Sequence, residues 1–232
     1  MKQRTLMAIA AFALLSLYAC TNAPESDKAN ATDAQAADSS ATGTAWKVDA
    51  ATSAIEWIGT KVSGYHTGTV PVKSGELKVN DTTLTGGSFI IDMANLAVTG
   101  PAGSGAEMNS KLLKHLLSPD FFDVANNPEA KFEITGVSPF TGTVQDTTDP
   151  RQQQISKYKV ADPTHTISGN LTIKGITKNI SFPAKITVAG NALDAIAKFN
   201  IDRTQWNIVY PGKPDDLIRN EIHFGIEIKA VK

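Results

Sequence analysis

The stretch Ile180-Ser181-Phe182-Pro183-Ala184-Lys185-Ile186-Thr187-Val188 places an apolar side chain at every second position. The same alternation recurs in residues 195–201 and again in residues 222–228. A period of two is typical of a β-strand with one buried face and one wet face. Alternating runs, as opposed to continuous apolar runs, favour an antiparallel sheet. The C-terminal part of the chain therefore predicts an all-β domain.

Six further candidate strands lie upstream of these three. They are residues 46–49, 55–60, 75–79, 88–93, 130–137 and 166–173. About eight strands in one domain with few helices indicate a closed barrel or a sandwich. The alternation by itself does not separate these two architectures.

One segment departs from the period of two and predicts an amphipathic helix that ends at Pro119. Its apolar face is predicted to comprise Met108, Leu112, Leu113, Leu116 and Leu117. The residues predicted to face away from the core are Asn109, Lys111 and Lys114. We expect this helix to cap a barrel end or cover a sheet, with a gating role as the alternative to simple sealing. The polar segment 141–154 is predicted to be a long surface loop.

The N-terminus resembles a bacterial export signal. Lys2 and Arg4 precede an uncharged run over residues 6–19, which is shorter than the roughly 20 residues that span a bilayer. The run ends in Leu17-Tyr18-Ala19-Cys20, which resembles a lipobox, so residues 1–19 are predicted to be a lipoprotein signal peptide. Cleavage before Cys20 and lipidation of Cys20 would attach several acyl chains, enough for a stable membrane anchor. The alternative is an ordinary signal peptide with an incidental cysteine.

The segment that follows Cys20 differs sharply in composition from the rest of the chain. Residues 21–45 contain no aromatic residue and no Leu, Ile or Val. Such a segment buries too little apolar surface to offset its ordering entropy. Residues 20–45 are therefore predicted to be the lipidated cysteine and a flexible tether, and residues 46–232 the folded domain. The expected location is the bacterial cell envelope, at the outer membrane, on its periplasmic or surface face.

Charge and motif content exclude several functions. The net charge is −1 and no basic cluster is present, which argues against nucleic acid as a partner. The chain has no Gly-x-Ser-x-Gly elbow and no Gly-x-Gly-x-x-Gly loop. No pair of histidines has a spacing typical of local metal ligation, and we expect neither a metal nor a cofactor. The four histidines are His66, His115, His165 and His223, of which His223 is predicted to be solvated on an outward strand face.

Several stretches, taken in order, resemble one known family. They are residues 46–49 (WKVD), 86–93 (GGSFIIDM), 112–123 (LLKHLLSPDFFD), 130–132 (AKF), 169–178 (GNLTIKGITK) and 199–206 (FNIDRTQW). This ordered set is similar to the YceI-like, polyisoprenoid-binding family. The resemblance implies an eight-stranded antiparallel lipocalin-like barrel with one capping helix and an elongated apolar cavity. It also implies binding of an isoprenoid chain or another long amphiphile.

The candidate cavity walls are the apolar residues on the inward set of positions. They are Trp57, Phe89, Ile91, Phe132, Ile134, Leu171, Ile173, Phe182, Ile186, Phe199, Ile201 and Phe224. Each is either a ligand contact or a packed core residue, because an eight-stranded barrel can hold a ligand or fill itself. Phe121 and Phe122 are expected either to line the cavity mouth or to anchor the cap.

Two polar residues are candidates for contact with a ligand head group. His115 lies on the predicted helix, where the alternative is a hydrogen bond from helix to barrel. Arg203 has a planar guanidinium that suits a phosphate or quinone oxygen. Its alternative is an ion pair with Asp202 or another carboxylate that fixes the loop.

The function that these patterns favour is non-catalytic binding, storage or transport of a long apolar or isoprenoid lipid at the envelope. The first alternative is a side-chain-filled barrel that serves as an envelope interaction or stress-related module. The second is a lipid-modifying enzyme, which would need ionisable residues gathered inside the cavity. A homodimer stays open as a possible assembly.

Overall fold

The structure is a computed structural model that describes residues 22–37, 41–143 and 157–232. Cys20 and most of the predicted loop 141–154 lie outside the described residues. Within these residues, the strands are accompanied by one α-helix, α1 (Ala106–Leu117), and two short 3-10 turns, Met93–Asn95 and Arg203–Trp206. The strands are β1 (Thr32–Asp33), β2 (Thr44–Val48), β3 (Ala54–Lys61), β4 (Gly64–Thr69), β5 (Val72–Asn80), β6 (Thr83–Asp92), β7 (Ala97–Gly100), β8 (Glu129–Pro139), β9 (His165–Ile173), β10 (Ile176–Ala189), β11 (Ala192–Asp202), β12 (Gly212–Lys213) and β13 (Asp216–Val231).

Eight of the described strands close into an antiparallel barrel, which confirms the predicted fold class and excludes the sandwich. Around the barrel the order is β2, β5, β6, β8, β9, β10, β11 and β13, and β13 returns to β2. The contact between β13 and β2 is short, at Ala230 and Val231. Along the rest of its length β13 pairs with β3, which carries β4 and β7 as an additional ribbon. β4 and β7 were not predicted, because neither has an alternating apolar pattern.

The ladder between β10 and β11 is incomplete. The two strands pair only where Ala184 faces Ala197 and beyond, toward the hairpin at Gly190. Pro183 lies at the point where they separate, and proline has no N–H to donate to a ladder. On the separated side, β10 pairs only with β9 among the barrel strands. The barrel wall therefore has a seam between the first half of β10 and the last half of β11.

Residues 22–37, here called the N-terminal strap, fill this seam by pairing with the free edges of both strands. Asp27 and Ala29 exchange backbone hydrogen bonds with Asn200 of β11, at N–O distances of 2.7 and 2.9 Å. Farther along, β1 pairs with β10 at Asn179 and Lys178. The prediction of a flexible tether is therefore wrong for these residues. Unpaired strand edges offer backbone partners, so the strap gains order without large apolar side chains.

The strap also buries polar side chains on the outside of the barrel. His223 is only 3 % exposed, although it points outward from β13. Its Nδ1 lies 2.9 Å from Oδ1 of Asn200, and the ring of Tyr158 packs edge-on against it. Asn200 in turn donates from Nδ2 to the carbonyl of Pro24 at 2.9 Å. The prediction of a solvated His223 is therefore wrong, because strand parity sets its direction but not what covers it.

Helix α1 is present, as predicted, but its buried face is rotated from the predicted one. Leu116 is buried and Leu112, Leu113 and Leu117 are partly buried. Met108, however, is 58 % exposed, and Asn109 takes the half-buried position one turn before Leu113. The helix packs against β7, and this contact determines which of its faces is buried. A hydropathy pattern contains no information about that contact.

The two barrel ends differ. At the capped end, β3, β6, β9 and β11 finish and β13 begins, and α1 and the segments 118–127 and 203–211 lie there. At the plugged end, inward side chains fill the barrel without reaching a cavity. These plugging residues are Trp46, Val48, Val79, Leu193 and Ala230, each at most 3 % exposed. The interior is thus solid at one end and hollow toward the other.

Candidate ligand-binding cavity

A cavity of about 410 Å³ occupies the barrel between the plug and the capped end. Its walls come from the inward positions of the barrel strands and of β3, so they are mostly aliphatic and aromatic. The polar lining residues gather at the capped end, among them Lys61, His66, Lys213 and Asp216. The cavity is therefore lined by apolar side chains near the plug and by polar side chains at the capped end, which is its mouth.

The structure places every candidate wall residue on this cavity. These are Trp57, Phe89, Ile91, Phe121, Phe122, Phe132, Ile134, Leu171, Ile173, Phe182, Ile186, Phe199, Ile201 and Phe224. Strand parity was sufficient to select the strand residues, because alternate side chains point to opposite faces. Their contact with a ligand stays a prediction.

Five phenylalanines form a continuous aromatic belt across the wall. The ring centroids are 5.5 Å apart for Phe89 and Phe132, and 5.7 Å for Phe132 and Phe182. Phe182 stacks on Phe199 at 4.1 Å, and Phe199 lies 6.3 Å from Phe224. The stacked pair bridges β10 and β11, so it covers the cavity side of the seam in which the strap pairs with both strand edges.

Glycines make room for two of the aromatic side chains. A Cβ at Gly169 of β9 would collide with the ring of Phe132, so this position must lack one for the belt to cross β9. A Cβ at Gly68 would likewise collide with the indole of Trp57, which lies over β4. Both aromatic side chains are therefore held flat against the wall by a neighbouring strand.

His115 belongs to an aromatic cluster under the cap. Its ring packs edge-on against Tyr210 at 4.6 Å and against Phe121 at 4.9 Å. Its Nε2 lies 3.3 Å from a carboxylate oxygen of the exposed Asp120. The ring lines the cavity, but its hydrogen bond is to the cap segment and not to a barrel strand. The geometry favours a part in holding the cap over a contact with a head group.

Arg203 lines the cavity, and its guanidinium makes three hydrogen bonds to backbone carbonyls. Nε donates to the carbonyl of Arg219 at 3.1 Å, and the two terminal nitrogens donate to the carbonyls of Ile208 and Ile218. The predicted alternative, an ion pair with Asp202, is not formed, because the Asp202 carboxylate accepts from the backbone N–H and hydroxyl of Thr204. Arg203 is 3 % exposed, and its arrangement fixes the 203–211 segment in place.

Three polar side chains on β3 and β4 have a buried atom without a partner among the described residues. These atoms are Nε1 of Trp57, Oγ1 of Thr60 and Nδ1 of His66. All three residues line the cavity, and an unmade buried hydrogen bond costs about 1–3 kcal/mol. Burial, and then the charge of Lys61, lower the pKa of His66, so its imidazole is neutral at pH 7. Sequence analysis named Trp57 as a wall residue but did not single out Thr60 or His66, and His66 lies on β4, which carries no alternating apolar pattern.

An ion pair lies at the mouth. Nζ of Lys61 is 2.5 Å from Oδ2 of Asp216, and Oδ1 of the same carboxylate accepts from the backbone N–H of Ser63 at 2.9 Å. The hydrogen bonds from Lys61 and Ser63 lower the pKa of Asp216 to about 2. The carboxylate therefore stays charged under ordinary conditions and joins the β3–β4 turn to the start of β13.

Membrane-spanning helices and metal-binding clusters are both absent from the described residues. In the described part of the chain, no helix has the length and apolar character needed to cross a bilayer. Within the same residues, His, Asp and Glu form no group of three or more suited to hold a metal ion.

Sequence and structure comparisons identify similar proteins. The profile of the family described as YceI-like domain matches residues 46–230. A UPF0312 protein of Pseudomonas paraeruginosa is 32 % identical over 110 residues, which cover 45 % of this chain and 47 % of that protein. A UPF0312 protein of Azotobacter vinelandii is 32 % identical over 114 residues, covering 45 % of this chain and 46 % of that protein. The matched region thus spans about half the length of these curated relatives.

Two solved structures share the fold at low sequence identity. Burkholderia cenocepacia BcnA has a TM-score of 0.54 and 17 % identity, with 79 % of this chain and 99 % of that chain covered. A domain from Saccharophagus degradans has a TM-score of 0.55 and 12 % identity, with 80 % of this chain and 97 % of that chain covered. The latter is described as a polyisoprenoid binding domain implicated in plant cell wall breakdown. At these identities the likeness establishes the barrel fold alone.

Proposed function

The chain belongs to the YceI-like domain family, and on that premise we propose that its barrel binds a long apolar or isoprenoid chain without converting it chemically. One observation carries the proposal. The cavity of about 410 Å³ is apolar along its depth, closed by the plug at one end and polar only at the mouth. Such a shape suits an amphiphile whose tail enters first and whose head group stays at the capped end. The description of the Saccharophagus degradans domain as polyisoprenoid binding supports the same ligand class.

Cavity size speaks against the side-chain-filled barrel. Ligand pockets in proteins typically measure about 300–1,000 Å³, and this cavity lies within that range. A filled barrel would continue the plug of Trp46 and Val48 through the whole interior. Instead the aromatic belt lines an open space, which favours a carrier or reservoir over a module that only presents its outer surface.

The arrangement of ionisable groups gives less support to a lipid-modifying enzyme. Three N–H groups of Arg203 donate to backbone carbonyls, and His115 pairs with Asp120 at the cap. Lys61 and Asp216 neutralise one another at the mouth. General acid–base catalysis needs a group within hydrogen-bond reach of the reacting atom. These groups are committed elsewhere, which leaves His66, with its unpaired Nδ1 on the cavity wall, as the candidate that an enzymatic role would draw on.

Native mass spectrometry of the full chain with added geranylgeraniol tests the binding proposal. We expect a one-to-one complex, together with co-purifying lipid released by solvent extraction. The variant Ala197→Trp places an indole in the cavity and is expected to abolish uptake, whereas Ala192→Trp at the exposed hairpin is the matched control. A barrel that takes up no isoprenoid and carries no lipid would overturn the proposal.

The proposed site of action is the bacterial envelope, where the protein would store or transport its ligand. The lipobox ending in Cys20 supports this, since acyl chains on the cysteine would hold the protein at a membrane, expected to be the outer membrane. Labelled palmitate should enter the wild-type chain and not the Cys20→Ser variant. Equal labelling of both chains would contradict the anchor, and absence of labelling in both would assign the N-terminus to an ordinary signal peptide.

A further inference from the structure

The cavity ends at a definite layer of inward side chains. On the β11–β13 ladder, Ala195 pairs with Ile228, and both residues line the cavity. The next inward pair toward the plugged end is Leu193 with Ala230, and neither residue lines it. These two pairs are separated by about 7 Å along each strand. The floor of the cavity therefore lies between them.

The largest of the plugging side chains, Trp46, borders this floor. Trp46 and Val48 are the buried residues of β2, and Lys47 between them is exposed, so the two buried side chains point into the barrel. Trp46 pairs with Leu77 of β5, which lines the cavity. Side chains directly opposite each other on one face of a sheet interact. The indole of Trp46 is therefore adjacent to the last layer of the cavity wall.

The other plugging residues are smaller and aliphatic. Val48 pairs with Ala230 of β13, and Ala230 pairs with Leu193 of β11, so these three residues form one layer. All of them are apolar, as is Val79 on β5. The floor is therefore set by side-chain volume, of which the Trp46 indole is the largest single part. A space opened at this place would be apolar, and such cavities stay dry and accept apolar ligands.

The depth of the cavity corresponds to a limited length of ligand chain. Its inward residues on β11 run from Ala195 to Ile201, a separation of about 20 Å along the strand. Because barrel strands are tilted by about 40°, this distance is about 15 Å along the barrel axis. An extended chain advances about 1.2 Å per bond, so an isoprene unit with its four main-chain bonds spans about 5 Å. The cavity therefore has room for about three to four isoprene units.

We propose that Trp46 determines how long an apolar chain the barrel buries, and that the ligand fills the cavity with a tail of about three to four isoprene units. The inference rests on the proposed function, because it concerns the tail of the ligand in the same cavity. Each unit that enters the cavity removes more apolar surface from water and raises the affinity. Units beyond this length remain outside the mouth. The affinity should therefore rise with chain length and then level off.

Native mass spectrometry of the full chain with an equimolar mixture of prenols tests this limit. The prenols are farnesol, geranylgeraniol, geranylfarnesol and hexaprenol, which have three, four, five and six isoprene units. In the wild-type chain we expect the occupancy to level off by geranylgeraniol, with less than a two-fold gain for the two longer prenols. Each variant receives the same mixture, so partition of the prenols into detergent cancels when the chains are compared.

Two kinds of variant should move the plateau in opposite directions. Trp46→Leu and Trp46→Ala open one further layer of the plug, about 5 Å along the axis, so the ratio of geranylfarnesol to geranylgeraniol should rise several-fold over wild type. Ala195→Leu fills the layer above the floor, so farnesol should bind as well as geranylgeraniol. Val124→Ala is the matched control, because it truncates a buried residue at the capped end that does not line the cavity. It should keep the wild-type preference.

The remaining outcomes overturn the proposal. The first is an unchanged preference in Trp46→Leu or Trp46→Ala whose thermal unfolding shows a folded barrel. If neither variant folds, an unchanged preference in Ala195→Leu decides against it. A shift in Val124→Ala as large as in Trp46→Leu would assign the effect to lost stability, and a wild-type occupancy that still rises at hexaprenol would show that the floor sets no limit. Absence of every prenol from every chain would remove the proposed function as well, whereas binding with one common preference would remove the length limit alone.

Discussion

His223 shows how its neighbours set the protonation of one buried side chain. Because Nδ2 of Asn200 donates to Pro24, its Oδ1 is an acceptor and takes a hydrogen bond from Nδ1–H of His223. This contact selects the neutral tautomer with its proton on Nδ1. Burial, and then the charge of Lys198, lower the pKa of His223 to about 4 from the ordinary 6.5.

The lowered pKa of His223 predicts a specific loss of stability in mild acid. The unfolded chain takes up the proton first, so the contribution of neutral His223 is complete above pH 6.5 and is lost as the pH falls toward 4. A shift of this size is worth up to about 3 kcal/mol. Urea unfolding at pH 7.5 and pH 4.5 should show a smaller difference for His223→Gln than for wild type. Identical pH dependence of the two chains would show that His223 is not the titrating group.

Thr60 supplies a second prediction at this scale, because its buried hydroxyl has no partner among the described residues. Replacing an unsatisfied polar group by an apolar one of the same shape is neutral or stabilising. Thr60→Val should therefore leave the free energy of unfolding unchanged or raise it by about 1 kcal/mol. The control is Thr172→Val, whose hydroxyl bonds to Thr177 at 2.8 Å and whose loss should destabilise by about 1 kcal/mol. A larger loss for Thr60→Val would mean that its hydroxyl is paired in solution.

The N-terminal strap is the element whose ordered structure was least expected from the sequence. It has no large apolar side chain, yet Ala29 is 3 % exposed and its backbone pairs with two barrel strands. The side chain of Asn170 completes this pairing, since it accepts from the N–H of Gln35 at 3.0 Å and donates to the carbonyl of Gln35 at 2.6 Å. The Asn170 amide on β9 thus takes the place of a strand partner for Gln35, beyond the seam.

Asn170→Ala should release the strap while leaving the barrel folded. Its loss removes both bonds to Gln35 and one contact with Asn179, a cost of about 1–3 kcal/mol. Hydrogen exchange at residues 29–35 and proteolysis within the strap should become faster. Ser168→Ala is the matched control, because Ser168 lies on the same face of β9 and bonds to Ser181. Unchanged exchange in Asn170→Ala would show that the strap is held by its backbone alone.

At the scale of the whole molecule, closure depends on the aromatic belt as well as on the ladder. Phe182 and Phe199 stack where β10 and β11 no longer pair, so ring contact takes over from backbone hydrogen bonds there. The strap pairs with the free edges of both strands at the same place. The barrel is therefore continuous at the seam through ring contacts on the cavity side and an added chain segment between the two strands.

Phe182→Ala should weaken the whole barrel. Truncating a buried phenylalanine typically costs about 3–5 kcal/mol, and this ring, 7 % exposed, also contacts Phe132. Chemical denaturation should show a single, earlier transition, because one core spans the barrel. Saturating geranylgeraniol should recover part of the loss, since a ligand that binds only the folded state stabilises it. A loss below about 1 kcal/mol would show that the surrounding wall collapses into the gap.

Properties that depend only on strand parity could be predicted from the sequence. Alternation assigned nine strands, the antiparallel all-β class and the inward set from Trp57 to Phe224, because successive side chains in any strand point to opposite faces. Closure into a barrel with a cavity came from the family resemblance, since alternation fits a sandwich equally well. The helix was located by its period, but its phase was predicted wrongly at Met108 and Asn109.

The remaining features were decided by the tertiary structure alone. Parity gives the direction of His223 but not the Tyr158 ring that packs against it. Parity also gives the inward residues without separating the plug of Trp46 and Leu193 from the cavity wall. The order of residues 22–37 depends on a seam formed by strands more than 140 residues away. Such features arise from contacts between segments that are distant in the sequence. The alternation that predicts the barrel strands is instead a local property of each segment's own sequence.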